Sequence, residues 1–473
     1  MCAPFPPLTP LTLSCKKILI SERLKKKLDF KIKKKYSFYL FLTFQIFYVL
    51  CEYEMNKSYS YSKAFPFMMW ALPVLFFSYM FALRIWPGMM INEILKQLQI
   101  NTSKFGLINS AYYYGYGGMQ IPVAILLDRW GPRRTITALV VLCGLSNLVF
   151  SCTSNWMVAA LCRFLVGVGS AVGFLGVSKV ISQWFAKKEY SRMLGLSVAI
   201  GVMGAIYGGS LFPTLVESFS IQSVSFCVSG VALVIALGVY VALRFQPPYA
   251  QKEEPFKISH LKTVLCSPIL WLLGSANLLL SGSLEGFADV WGVPYLIKGY
   301  GISTESATYL ASSCIFLGLI FGSPLTPLLG KKIGDYTVTL LCGAGIVLSF
   351  LWLLLSGVPY NFTLFMAWFL FIGLCSSYQV NLLSAGNELV QASLSGITIA
   401  FLNSMNMFGG CFFHPIIGYI DTNHVKKETV ESMQSALLVI PLAAIVGTLV
   451  VTFVLIKWHA AIKAKKVFIK THI

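Results

Sequence analysis

The chain has 473 residues, 56% of them hydrophobic and only 12% charged. Soluble domains carry roughly a quarter charged residues, so an ordinary soluble enzyme is excluded and a chain dissolved in lipid is expected. The net charge of +19 is no nucleic-acid footprint, because that would need a basic soluble domain, and the sequence offers none.

Residues 1–54 hold a lysine run from Cys15 to Lys35 and a Phe/Tyr/Leu run from Ser37 to Leu50, closed by Glu52 and Glu54. No small-residue cleavage site follows, which argues against a signal peptide. The expectation is that translation starts at Met55 and that 1–54 is leader sequence; a thirteenth membrane segment is the alternative. Twelve apolar stretches follow, each near the ~20 residues that cross a bilayer: 66–94, 105–127, 133–153, 156–184, 190–216, 223–245, 265–297, 304–329, 335–356, 361–383, 394–420 and 433–458. They are numbered as spans one to twelve below. The twelve cysteines contain no C-x-x-C pair and no His/Cys cluster, so no metal and no redox pair is expected. Nucleotide and hydrolase fingerprints are missing as well. The chain is therefore read as a non-enzyme without a cofactor, drawing its energy from a gradient.

Between spans two and three lies Ala124-Ile-Leu-Leu-Asp128-Arg129-Trp-Gly131-Pro-Arg133-Arg134. One carboxylate among three guanidiniums, with a glycine to reverse the chain, exceeds what a topology signal needs. If this turn is cytoplasmic, about seventeen basic residues fall on its side against five (Lys96, Lys104, Lys298, Lys426, Lys427) on the other. The positive-inside rule then places both termini in the cytoplasm.

That turn resembles the signature loop of major facilitator superfamily transporters, G-x-L-x-D-R-x-G-x-R-R, with Ala124 in place of the first glycine. Arg163-Phe-Leu-Val-Gly167-Val-Gly169 in span four resembles the superfamily's R-x-x-x-G-x-G. The antiporter Gly-Pro pattern of span five is missing, since its proline comes late, at Pro213. Gly117-Gly-Met-Gln120-Ile-Pro122 and Trp291-Gly-Val-Pro294-Tyr295 are similar to the bacterial branch that includes sugar-phosphate permeases; the lysosomal dipeptide uniporter is a more distant relative. The resemblance implies an all-α membrane protein, with twelve transmembrane helices in two pseudo-symmetric six-helix bundles. Its boundaries are expected at 55–245 and 263–458, with a cytoplasmic linker at 246–262 and a basic tail at 459–473. The turn between spans eight and nine, Pro327-Leu-Leu-Gly-Lys331-Lys332-Ile-Gly334, repeats the first one with Lys331 at the Asp128 position, so the second copy is read as having lost its carboxylate. Repeats of this kind place the substrate near the midplane, between the halves.

Ionisable groups inside spans are costly and hence functional candidates. Arg84 in span one and Glu285 in span seven fall at matching depths, where the resemblance implies two phosphate-clamping arginines in organophosphate antiporters. One guanidinium opposite one carboxylate suits a zwitterion instead; mutual neutralisation is the alternative. Asp289, four residues on, is the candidate proton acceptor, and Arg163 a candidate for coupling or gating. Lys179 is expected to snorkel to the cytoplasmic surface. Tyr113, Gln120 and Asn403 complete the expected substrate contacts. Asp128, with Arg129, Gly131, Arg133 and Arg134, is expected to form a conformational latch near the start of span eleven, around 393–396, with the arginines pairing Glu189 or Glu388. The chain is thus expected to be a monomeric carrier of a small polar metabolite, an amino acid or dipeptide, with a proton as candidate co-substrate, in a bacterial inner membrane. A sugar-phosphate or organic-anion exchanger is the alternative, and a membrane sensor without transport the remote one.

Overall fold

The computed structural model describes residues 64–245, 247–248, 258–355, 357, 359–391, 394–424 and 429–471. The expectations for 1–54, for most of the linker and for Ser393 lie outside these. The described residues are helical throughout, and nine of their helices are long and apolar enough to cross a membrane. One of the nine, Thr102–Cys152, runs for 51 residues and breaks at Gly131 (φ 76°, ψ 164°), so it supplies spans two and three. Lys187–Ser218 and the segmented run 268–300 supply spans five and seven. The result is an all-helical, multi-pass membrane protein, consistent with the twelve spans expected.

The repeat is visible in how helices start and turn. All six even-numbered spans begin at the end opposite the Asp128 turn, and each starts on a polar cap. The side-chain oxygens of Asn101, Asn155, Ser220, Ser303, Asn361 and Thr429 accept from backbone N–H groups two or three residues on. Such a cap satisfies an otherwise orphan donor and contributes ~1 kcal/mol. Spans one and seven, the symmetry mates, both begin with proline in the first turn, where no N–H is needed. The two short turns also match: Gly131 and Gly334 both take positive φ, 76° and 93°, a backbone that favours glycine.

Within each half the same crossing recurs. Gly167 of span four meets the backbone carbonyl of Tyr112 in span two, and Gly373 of span ten meets that of Ile315 in span eight. A side chain at either position would force the helices apart, so Gly167 of the R-x-x-x-G-x-G pattern is explained by packing. Large apolar side chains such as Ile456, Leu348 and Phe321 face outward, as a lipid-bathed surface requires.

Span seven departs from the expected plain α-helix. Residues Gly282–Trp291 form a π-helix, and a second π segment, Tyr309–Cys314, lies on span eight. The two touch, with Ser312 Oγ donating to the Ala288 carbonyl at 2.5 Å. Span one also ends earlier than expected, at Met89, and is followed by a separate short helix, Ile91–Leu98.

Candidate functional site

Arg84 sits in the last third of span one, in the helix Phe65–Met89, with only 5% of its side chain exposed. Its Nη2 lies 2.6 Å from Glu285 Oε2 and its Nε 2.5 Å from Asp289 Oδ2. Both carboxylates come from the π segment of span seven, the span that carries the symmetry-related position in the other half. The cluster therefore ties the two halves together through charge. Four residues is just under one π turn, so both acids stand on the face turned to Arg84. Single π segments inside membrane-type helices are frequent at functional sites.

Tyr113 of span two donates its hydroxyl to Asp289 Oδ2, and the Arg84 guanidinium lies 5.6 Å from the Tyr113 ring centroid and 5.5 Å from that of Phe81. Met407 Sδ of span eleven is 4.0 Å from Arg84 Nη1. Asp289 Oδ1 has no hydrogen-bond partner. In a dry interior that spare acceptor is a place for a proton or a ligand donor.

Arg163 is fully buried, and its partners explain why a second guanidinium is tolerated there. Pro87 has no N–H, so the Leu83 carbonyl four residues earlier loses its helical partner. Arg163 Nη1 donates to that carbonyl at 2.9 Å, and Nη2 to the Arg84 carbonyl at 3.3 Å. The guanidinium also covers the Tyr112 ring at 4.8 Å. Arg163 thus holds the backbone that presents Arg84.

The remaining sequence candidates fall at varying distances from this cluster. Gln120 is fully buried on span two. Asn403 is half-buried; its neighbour Asn406 makes the polar contact, donating to Gln379 Oε1 of span ten at 3.2 Å. His414 belongs to none of the sequence motifs, although an imidazole inside an apolar run is itself a signal. It is fully buried with its ring 5.2 Å from Tyr113.

At the Asp128 turn the structure differs from expectation. Asp128 Oδ1 pairs with Lys179 Nζ of span four at 2.9 Å, within its own half, while Gly396 at the start of span eleven has open space around it. Lys179 does run towards the surface, and its long stem brings a full charge to Asp128, stronger than a helix dipole at the same range. Arg133 stacks on Tyr240 at 4.1 Å and donates to its carbonyl at 2.8 Å, rather than pairing Glu189, whose carboxylate accepts from the Ala186 N–H. Arg129 and Arg134 are exposed. The second turn has also kept a carboxylate: Asp335, just past Gly334, accepts from Asn381 Nδ2 at 2.8 Å.

The halves meet at the opposite end. Thr102 and Thr422 hydroxyls are 2.7 Å apart, the Ser103 N–H donates to Thr422 Oγ1 at 3.0 Å, and Gly106 lies against the His414 carbonyl. Gly88 packs on the backbone of Asp289 and Val290 in the same way. Beyond that contact lies a small cavity of about 220 Å³, bordered by Glu93 and Lys298.

A model of the Major Facilitator Superfamily matches residues 71–414. The chain is 33% identical over 155 residues to "Probable anion transporter 7" of Oryza sativa subsp. japonica, covering 32% of this chain and 34% of that protein. It is 22% identical over 282 residues to "Probable galactarate/D-glucarate transporter GudP" of Escherichia coli (strain K12), covering 52% of this chain and 62% of that one. In each case less than two thirds of the relative's length is spanned. A solved bacterial homolog of the human lysosomal transporter Spinster, in an inward-facing and unoccupied conformation, superimposes with a TM-score of 0.65 at 16% identity, over 83% of this chain and 98% of that chain.

Proposed function

The chain belongs to the Major Facilitator Superfamily, and from that premise we propose that it is a secondary carrier for a small carboxylate-bearing metabolite, an amino acid or short peptide. The observation that carries this reading is Arg84 held by Glu285 and Asp289 across the two halves. A substrate carboxylate replaces Asp289 and Glu285 on Arg84, where bidentate hydrogen bonding is strongest. The released Glu285 then receives the substrate ammonium, and Asp289, still fixed by Tyr113, takes a proton. Arg163 keeps Arg84 in place throughout, and Gln120 and Asn403 contact the polar remainder of the substrate.

The same cluster argues for net transport. A buried guanidinium stripped of partners costs several kcal/mol, so a site of two arginines resists closing empty. Here the empty site satisfies itself, and the unloaded carrier can return. Halves 55–245 and 263–458 rock about this point as a monomer, with both termini and the Asp128 turn on the cytoplasmic side of a bacterial inner membrane. When the cytoplasmic side closes, Asp128 leaves Lys179 for the start of span eleven, and Arg129, Gly131, Arg133 and Arg134 shape and anchor that latch. A second reading, an organic-acid carrier, is favoured by the names of the two relatives above; the substrate then needs a proton in place of its ammonium.

Thermal-shift screening of purified protein, followed by uptake into proteoliposomes, tests both. Alanine, propionate, D-glucarate and glucose 6-phosphate serve as probes. Stabilisation by alanine that Arg84→Gln abolishes, and that Glu285→Gln weakens far more than it weakens propionate, supports the zwitterion reading. Binding of D-glucarate that Glu285→Gln strengthens selects the organic-acid reading. Binding of glucose 6-phosphate with obligatory exchange refutes both.

A further inference from the structure

His414 is a second titratable group at the junction of the halves, unused in the cycle above. It is fully buried, and neither ring nitrogen has a hydrogen-bond partner. Its ring meets Tyr113, whose hydroxyl is spent on Asp289. Its own carbonyl lies against Gly106, and two turns further along the same helix Thr422 bonds to Thr102 and Ser103. His414 is thus sealed inside the seam that closes the end opposite the Asp128 turn.

The groups acting on the ring are few. Span two presents Tyr113 and, behind it, Tyr112, at 5.2 Å between their rings. Arg84 of span one and Arg163 of span four are the cations whose field reaches it, and span seven brings Glu285 and Asp289 through the Arg84 cluster. Tyr378 of span ten is buried too, but its hydroxyl donates to the Asn277 carbonyl of span seven at 3.1 Å. On its own helix stand Cys411, bonded to the Ser110 carbonyl, and the buried Asp421, whose Oδ1 is taken by Ser432 of span twelve. Glu431 of span twelve is exposed. Beside the ring the two guanidiniums are matched by the two carboxylates of the Arg84 cluster, while Asp421 lies two turns away and is held by Ser432, so an imidazolium would add a charge that the cluster leaves unmatched. An imidazolium there would be an uncompensated buried charge, which such an interior rejects. A bound anion would restore the balance.

We propose that His414 is a proton-binding site of this gate, and that its proton accompanies an anionic substrate through closure. When the gate opens, a ring nitrogen lone pair accepts a proton from water, converting hydronium to water and imidazole to imidazolium. The empty gate then closes only after that proton has left, whereas the gate loaded with an anion closes with the proton aboard. On opening to the other side, the N–H proton passes to water and the imidazole is regenerated. The substrate clause rests on the organic-acid reading; the gate clause does not.

The test needs no substrate. Thr102→Cys and Thr422→Cys are placed in the full-length protein, and oxidative bridging of the 102/422 peptide pair is read by mass spectrometry in His414 and in His414→Asn backgrounds. Dividing one yield by the other at each pH cancels the pH dependence of thiol chemistry. Histidine titrates between pH 5 and 8, so the ratio should fall by about threefold or more from pH 8 to pH 5. His414→Gln, a second uncharged amide, should reproduce the Asn result and serves if the Asn protein folds poorly. A ratio unchanged over this range overturns the proposal even if uptake of organic acids is found. Conversely, absence of uptake for every probe would refute the transport reading and leave this measurement standing.

Discussion

Arg84→Gln is the most informative perturbation of the charge cluster. Arg84 balances two carboxylates with 2% and 0% side-chain exposure, so removing it leaves two like charges buried about one turn apart. Breaking a buried pair from one side costs ~3–5 kcal/mol. Glu285→Gln instead leaves the Arg84–Asp289 pair intact, and the amide can still accept from Arg84, so its loss should stay near 1 kcal/mol, the net scale of one hydrogen bond. Asp289→Asn falls between them, because Asp289 serves both Arg84 and Tyr113. Replacing all three together, by Gln, Gln and Asn, removes every unpaired charge and should recover most of the stability lost by Arg84→Gln alone. The assay is the thermal midpoint of purified protein in one detergent, with single, double and triple variants compared. The reasoning is refuted if the triple variant melts no higher than Arg84→Gln, or if the three single variants are indistinguishable.

Arg163→Gln should destabilise the native protein but much less so in a Pro87→Ala background, where residue 87 regains an N–H for the Leu83 carbonyl; a double-mutant cycle giving coupling below about 0.5 kcal/mol would deny the link. Gly167→Val should force spans two and four apart and lose monodisperse protein on size-exclusion chromatography, at a cost of ~1–3 kcal/mol or more, with Gly373→Val doing the same for spans eight and ten. Asp128→Asn should change stability by no more than about 1 kcal/mol, since its pair with Lys179 is partly solvated, yet raise cysteine labelling at the ends of the spans on the Asp128 side. Unchanged labelling with normal uptake would remove the latch.

Much of this architecture was legible in the sequence, because lipid imposes a strict code. Stretches of about 20 apolar residues recur twelve times, and the Asp128 turn announced its own break at Gly131. The presence of Arg84, Glu285 and Asp289 was equally plain, since each is an expensive residue in an apolar run. Their pairing was not. The sequence offered Glu285 as the partner of Arg84 and left Asp289 for a proton, whereas the π segment of span seven turns both acids onto the guanidinium. The requirement that links Arg163 to Pro87 arises only where two helices cross, and no pattern along either helix contains it. Lys179 reached Asp128, Asp335 took over the second turn, and His414 was sealed against Tyr113 for the same reason. Hydropathy along a chain fixes which residues lie in a span, but the rotation of each span about its axis is set by packing against its neighbours. That rotation decides which buried charges meet.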